Sequence, residues 1–408
     1  MSSDISNSGH NPEGGPAKPK APPQNKPKFW NDPKKRSLLF QVLLLSALGF
    51  VFYSIIDNTL TNLEQRGITT GFDFLTEEAG FGIAMSLIDY TEASSYGMTF
   101  IVGLMNTILI ALMGIFAATI LGFLLGVARL SDNWLISKAS TIYIETFRNI
   151  PLLLQIFFWY YAVLRTLPHP RQSMEFFGTF LNNRGFIVPA PVAEDGFGVV
   201  VFGFFAALIG SWLISRWSKK RQELTGQQFP VFWASLGLIV GIPLVLFMLS
   251  GMPLGLDHPE LKGFNFKGGI TVIPELIALW FALSIYTAAF IAETVRAGIL
   301  AVSHGQTEAA TALGMSKAKT LRLIVIPQAL RVVIPPLTSQ YLNLTKNSSL
   351  ATAIGYPDLV NVFAGTTLNQ TGQAIEVIAM TMAVYLTLSL LTSTFMNWYN
   401  SRIQLTER

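Results

Sequence analysis

The sequence predicts an all-α polytopic membrane protein with about eight transmembrane helices, each supplying the roughly 20 apolar residues a crossing requires. Three observations lead there. Of 408 residues, 51% are hydrophobic and only 13% are charged, about half the charged share of an ordinary soluble domain. The apolar residues fall into long runs separated by short polar loops. The Lys and Arg residues gather on alternate loops, which is the sorting by membrane side that insertion imposes.

Composition also excludes several functions. The absence of cysteine rules out disulfides, thiolate zinc sites and cysteine nucleophiles. His10, His169, His258 and His304 stand in separate segments, so no metal cluster is expected. No Gly-Lys dipeptide is present to build a P-loop. If ATP drives transport, another chain must hydrolyse it, so this chain is expected to be neither an enzyme nor the holder of a cofactor. The net charge of +4 is spread along the chain and gives no sign of nucleic-acid binding.

Residues 1–36, rich in Pro, Asn, Ser and Lys, lack the apolar surface to offset their ordering entropy and are predicted to be disordered. The first run, about Leu38 to Ile56, starts too late and ends too polar for a signal peptide and is read as a retained helix. Residues 57–96 are acidic, with Arg66 as the single base, which places them outside. A second helix, about Thr99 to Leu130, carries Gly114, Ala118, Gly122 and Gly126 on one stripe; it serves either packing within the bundle or contact with a second subunit. The third, about Thr141 to Leu164, contains Pro151, which should kink it and free backbone carbonyls. Two more, about Gly198 to Trp217 and about Phe229 to Leu249, flank the basic loop R-W-S-K-K-R-Q. The sixth runs from about Pro274 to Ile299, the seventh from about Pro327 to Lys346 and the eighth from about Ile375 to Tyr399.

Between the sixth and seventh helices lies Ser303 to Gln328, a long water-compatible segment. Thr307 or Ser303 can cap a first short helix that Gly314 ends in a left-handed conformation. Ser316 can cap a second, which Pro327 should stop or kink. The expected result is a helical hairpin too polar to span a bilayer, with Glu308 early and small alanines where another protein's backbone can approach.

Glu308, Ala309, Ala310, Gly314, Ile324, Ile326 and Pro327 meet the spacing of the cytoplasmic EAA loop, and the chain resembles the permease subunits of ABC importers. Ile326 stands where leucine is usual, a volume-conserving change. Arg148, Asn149, Pro151, Leu152, Leu153 and Gln155 resemble the F-R-x-x-P-L-L-x-Q segment of the polar amino-acid branch, and Y-T-A-A-F-I-A-E-T-V-R-A-G its segment before the EAA loop. The extra first helix, the insertion and the run F-A-G-T-T-L-N-Q-T-G-Q-A-I-E are similar to the general L-amino acid permeases of Gram-negative bacteria. The resemblance implies a type I importer permease core in two parts, 99–165 and 273–400, with the coupling loop at 303–328. Residues 37–98 add a helix and an outer loop, residues 166–272 are an insertion, and 1–36 and 401–408 are cytoplasmic tails. It further implies an inner-membrane location and partners: two ATPase subunits holding ATP and Mg, a second related permease or a second copy of this one, a periplasmic amino-acid-binding protein, and the amino acid itself. Glu308 to Pro327 would couple to the ATPase.

Charge tests that topology. Of the 28 Lys and Arg residues, twenty fall on segments assigned to the cytoplasm and six on outer loops. Two acid-base pairs, Glu145 with Arg148 and Glu293 with Arg296, are spaced to share a helix face. They serve either as structural ion pairs orienting helices or as an inner gate of the pathway. Lys346 is expected to snorkel or cap, and Asn343, Asn347 and Ser348 beside it to line the pathway or bind the bundle; Asn343 and Lys346 are kept as pathway candidates. An ion-coupled secondary transporter is the alternative of another class, but it leaves the hairpin unexplained. A membrane-embedded enzyme lacks a placed histidine or cysteine, and a permease for opines or a similar solute stays open within the ABC reading.

Overall fold

The computed structural model describes residues 33–65, 71–263 and 265–403. Most of the expected tail 1–36, and of 401–408, lies outside the described residues. The chain divides into two units, 1–70 and 71–408. The first contains α1, Pro33–Gln65, a single helix longer at both ends than its apolar run.

In the second unit α2, Tyr96–Ala128, begins at Ser95, whose side chain accepts from the Met98 amide at 3.4 Å. α3, Trp134–Asn149, is capped by Asn133, and α4, Leu152–Phe157, continues into a wide turn at 158–164. α5, Phe197–Thr225, and α6, Val231–Leu249, form a hairpin. α7, Pro274–Leu300, starts on a proline, whose missing N–H costs nothing in a first turn. Then come α8, His304–Ala312, α9, Lys317–Thr320, α10, Ile326–Asn347, the short α11, Leu368–Thr371, and α12, Ala374–Ile403. Seven helices among the described residues are long and apolar enough to cross a membrane, eight if α3 and α4 together make one crossing.

α7 is the axis of the core. Ala278, Leu279, Ala282, Leu283, Ala288, Ala289, Ile291 and Ala292 on it expose no surface. Gly122 and Gly126 of the small-residue stripe of α2 pack here, and Gly114 meets Leu344 of α10. A Cβ at Gly122 would lie 2.6 Å from Ile291, and one at Gly126 2.7 Å from the Ala292 carbonyl. The stripe therefore serves packing within the chain, letting the two backbones approach. A second cluster, Phe74, Ala79, Tyr96, Leu359, Phe363 and Val377, closes the end of the bundle where α2 begins.

Three departures from the sequence reading have local causes. The third helix does not merely kink: α3 and α4 meet at 105°. Ile150, before the proline, adopts φ −93° and ψ 127°, the extended conformation that a following proline ring enforces. Pro327 neither stops nor kinks its helix. The backbone widens at 321–325 and runs on into α10, and a wide turn accommodates a residue that can neither donate nor tolerate a tight preceding turn. The insertion also holds strands. β1, Met174–Phe176, β2, Thr179–Asn182, β3, Gly185–Val188, β4, Ala190–Ala193, β5, Leu254–Asp257, β6, Glu260–Lys262, β7, Asn265–Lys267, and β8, Ile270–Val272, pair antiparallel. The largest sheet has the order β1-β2-β3-β8 and leads directly into α7. Strands of three or four residues are too short to announce themselves by alternation.

Candidate functional site: a helical hairpin beside a charged cluster

The segment after α7 forms the expected hairpin. α8 ends at Leu313, and Gly314 takes φ +71°. The Gly314 amide donates to the Thr311 carbonyl at 2.9 Å and the Met315 amide to Ala310 at 3.1 Å, which satisfies carbonyls left over at the helix end. The caps differ from expectation. Ser303 and Ser316 occupy cap positions but make no side-chain cap bond, and Thr307 Oγ1 instead donates to the His304 carbonyl at 2.6 Å. Ala310 is buried, whereas Glu308 and Ala309 are exposed, with Glu308 Oε1 3.0 Å from His304 Nδ1. Ile324 is half-buried, and Pro327 is exposed at the start of α10. Leu313 stands 80% exposed at the tip, an apolar side chain that the motif spacing did not single out. Lys317 reaches Asp132, in the turn between α2 and α3, at 3.0 Å. Two clefts of about 670 and 790 Å³ flank the hairpin, sharing His304, Thr307, Leu321 and Val325.

One helical turn or so inward, at the same end of the bundle, the charges regroup. Glu293 and Arg296 pair as their spacing implies, with Arg296 Nη2 donating to Glu293 Oε1 at 2.6 Å. Glu145 and Arg148 do not pair with each other. Arg129, at the end of α2, donates to Glu293 Oε2 and, at 3.4 Å, to Glu145 Oε1. It thus ties α2, α3 and α7 together. Sequence reasoning counted Arg129 only as a topology charge, because nothing local says which acids a helix end will meet. Arg148 is turned away: its guanidinium lies 5.3 Å from the Phe290 ring centroid, and its buried Nε has no partner among the described residues. It faces a groove of about 330 Å³ between α7 and α10, with Glu293, Val332, Pro336 and Gln340.

The break before α4 is repaired by the residue that ends its motif. Gln155 Nε2 donates to the carbonyls of Phe147 and Ile150, each at 3.0 Å. These are acceptors that the missing helical bonds leave open, as intramembrane backbone requires. Asn343 and Lys346 lie toward the other end of α10, both exposed in the single chain. Lys346, Ser349 and Tyr385 line a separate groove of about 480 Å³.

Residues 118–405, most of the second unit, match the model of the binding-protein-dependent transport system inner membrane component family. The chain belongs to that permease family. Three relatives span nearly its whole length. YhdX of Escherichia coli K12, assigned provisionally as an amino-acid ABC transporter permease protein, is 56% identical over 92% of this chain and 96% of its own. The general L-amino acid transport system permease protein AapQ of Rhizobium johnstonii is 53% identical over 92% and 94%. The glutamate/glutamine/aspartate/asparagine transport system permease protein BztB of Rhodobacter capsulatus is 43% identical over 92% and 96%. As a permease of this family the protein is a multi-pass membrane protein.

Proposed function

We propose that this permease subunit forms part of the translocation pathway of an ATP-driven importer for L-amino acids in a bacterial inner membrane. Identity above half with AapQ and YhdX over nearly the full length carries the substrate class. The partners expected are two ATPase subunits that bind ATP and Mg, a second permease or another copy of this one, and a periplasmic amino-acid-binding protein. The charge asymmetry supports cytoplasmic termini and a cytoplasmic hairpin.

The hairpin Glu308 to Pro327 is the coupling element in this reading. Exposed Ala309 offers close approach and exposed Leu313 an apolar anchor, while Lys317 to Asp132 links hairpin and α2–α3 turn by one solvent-exposed contact. Docking that favours one hairpin position shifts the inward and outward populations by its differential affinity for the two. Arg148 is the cation available to a solute carboxylate, and the Arg129–Glu293–Arg296 cluster latches α2, α3 and α7 at the inner end. Asn343 and Lys346 are the polar groups toward the outer half.

The testing experiment purifies the tagged chain from its own membrane in mild detergent and identifies bound proteins by mass spectrometry. Uptake of individual L-amino acids is then measured in proteoliposomes with the binding protein added. Recovery of an ATPase and ATP-dependent uptake is expected. A chain recovered alone that transports on an ion gradient would refute the reading.

A further inference from the structure

Helices α5 and α6 pack on each other and turn the rest of their surface outward. No residue of α6 is buried, and Phe202, Phe205, Leu213, Val240 and Leu249 are all exposed. One end of this hairpin has a different chemistry. Arg216, Lys219 and Lys220 stand at spacings of three and four, on one face of α5, and Arg221 follows. Aromatic rings collect at the same end. The Arg216 guanidinium lies 4.0 Å from the centroid of the Trp212 ring, and Arg221 lies 5.3 Å from that of Trp217. Trp217 in turn meets Phe229 edge-on, with centroids 5.4 Å apart, across the turn to α6.

These four cations form no ion pair, although Glu223 lies one turn on from Lys219 and Lys220. Among the described residues no carboxylate lies within ion-pair distance of any of them. Glu223, the one acid in residues 211–240, is exposed and unengaged. Arg221 donates one hydrogen bond, to Gln227 Oε1 at 2.8 Å. A guanidinium laid on a tryptophan face is held in place while its N–H edge stays open, the arrangement that meets a phosphate with two parallel hydrogen bonds. Tryptophans mark the depth of the headgroups, and the bare apolar shaft beyond them suits acyl chains.

We propose that the α5–α6 hairpin is a binding site for anionic phospholipid. Arg216 meets the headgroup phosphate with Lys219 and Lys220 on its face, Arg221, about 140° round the helix, offers a second contact, and the acyl chains lie along the exposed faces of α5 and α6. Its assignment to the cytoplasmic leaflet rests on the orientation proposed above; the lipid site itself does not. The insertion thereby anchors the permease laterally through lipid, although its hairpin buries little against the core.

The test uses the assembled complex in nanodiscs of phosphatidylcholine doped with phosphatidylglycerol, and lipid carried through re-extraction is counted by native mass spectrometry. Enrichment of phosphatidylglycerol over its bulk share is expected, declining with added salt. The R216Q/K219Q/K220Q/R221Q variant should retain at least about tenfold less, since each cation near an anionic surface contributes roughly fivefold. A W212L/W217L variant, which keeps every charge, should lose about twofold to fivefold. All six side chains are half-buried or exposed, and recovery of the same protein partners reports correct folding. Wild-type retention by the four-Gln chain would overturn the proposal, as would retention indifferent to salt. A cross-link from Lys219 to a co-purifying protein, with lipid unchanged, would assign the surface to that protein instead. Lipid retention is read without transport, so failed uptake leaves this result standing and failed retention leaves the importer reading standing.

Discussion

Adding one methyl group to Gly122 tests how the core is held. An ideal Cβ there sits 2.6 Å from both Cβ and Cγ2 of Ile291 and 3.0 Å from the Ala288 carbonyl. Ordinary carbon contacts lie at about 3.5 to 4.0 Å, so the overlap is roughly 1 Å. Ile291 exposes no surface and cannot swing aside. α2 and α7 must separate, which costs about 1 to 3 kcal/mol as in other overpacked cores. Gly241 on α6 is the matched control, since nothing lies within 4 Å of its Cβ position; the same change there should stabilise by up to about 1 kcal/mol, because alanine outranks glycine inside a helix. The assay is thermal denaturation of the purified complex in detergent, together with recovery of its subunits. Gly122→Ala is expected to lower the midpoint without altering subunit composition. Unchanged stability with loss of a second permease would refute the reasoning and place the stripe on an intersubunit contact.

Other outcomes follow from the site. Gly314→Val forces a β-branched residue to φ +71° at a strain of about 1 to 2 kcal/mol; uptake should collapse while membrane insertion, followed by fractionation, persists. Glu293→Gln weakens the shared partner of Arg129 and Arg296 and should cost about 1 to 2 kcal/mol after allowance for its partial exposure. Glu145→Gln, which loses one 3.4 Å contact on an exposed side chain, should cost under about 1 kcal/mol in the same denaturation assay. Asp358, with no exposed surface, has its carboxyl pushed up by burial from 3.8 to about 7. A raised acid contributes stability that is complete below pH 3.8 and lost as pH rises toward about 7. Asp358→Asn should flatten the stability profile across that window, and an unchanged slope would assign it to other groups.

Exchanging a helical bond for a side-chain bond is how this bundle tolerates its breaks. Gln155 supplies donors to Phe147 and Ile150, and Asn106 Nδ2 donates to the Met85 and Pro357 carbonyls where irregular segments enter the core. In each case a buried backbone acceptor finds a partner without water, which lets non-helical chain sit inside the bundle.

Composition, run length and charge sorting determined the class, because a bilayer imposes length and polarity on every crossing regardless of what packs beside it. The hairpin was legible too: Gly314 and the residues around it act through local backbone geometry, which spacing encodes. The pairings were not. Arg129 takes the Glu145 carboxylate that spacing alone would have left to Arg148 and shares Glu293 with Arg296, since a helix end meets its partners only when three helices are assembled. Pro151 announced a disturbance but not a 105° turn, whose size depends on the Gln155 bonds and on packing against α7. The stripe on α2 read more readily as packing within the bundle than as contact with a second subunit, and Ile291 and Val295 against it decide for the first. Short-range chemistry is written along the chain, whereas the choice among chemically equal partners is made by the distances that folding creates.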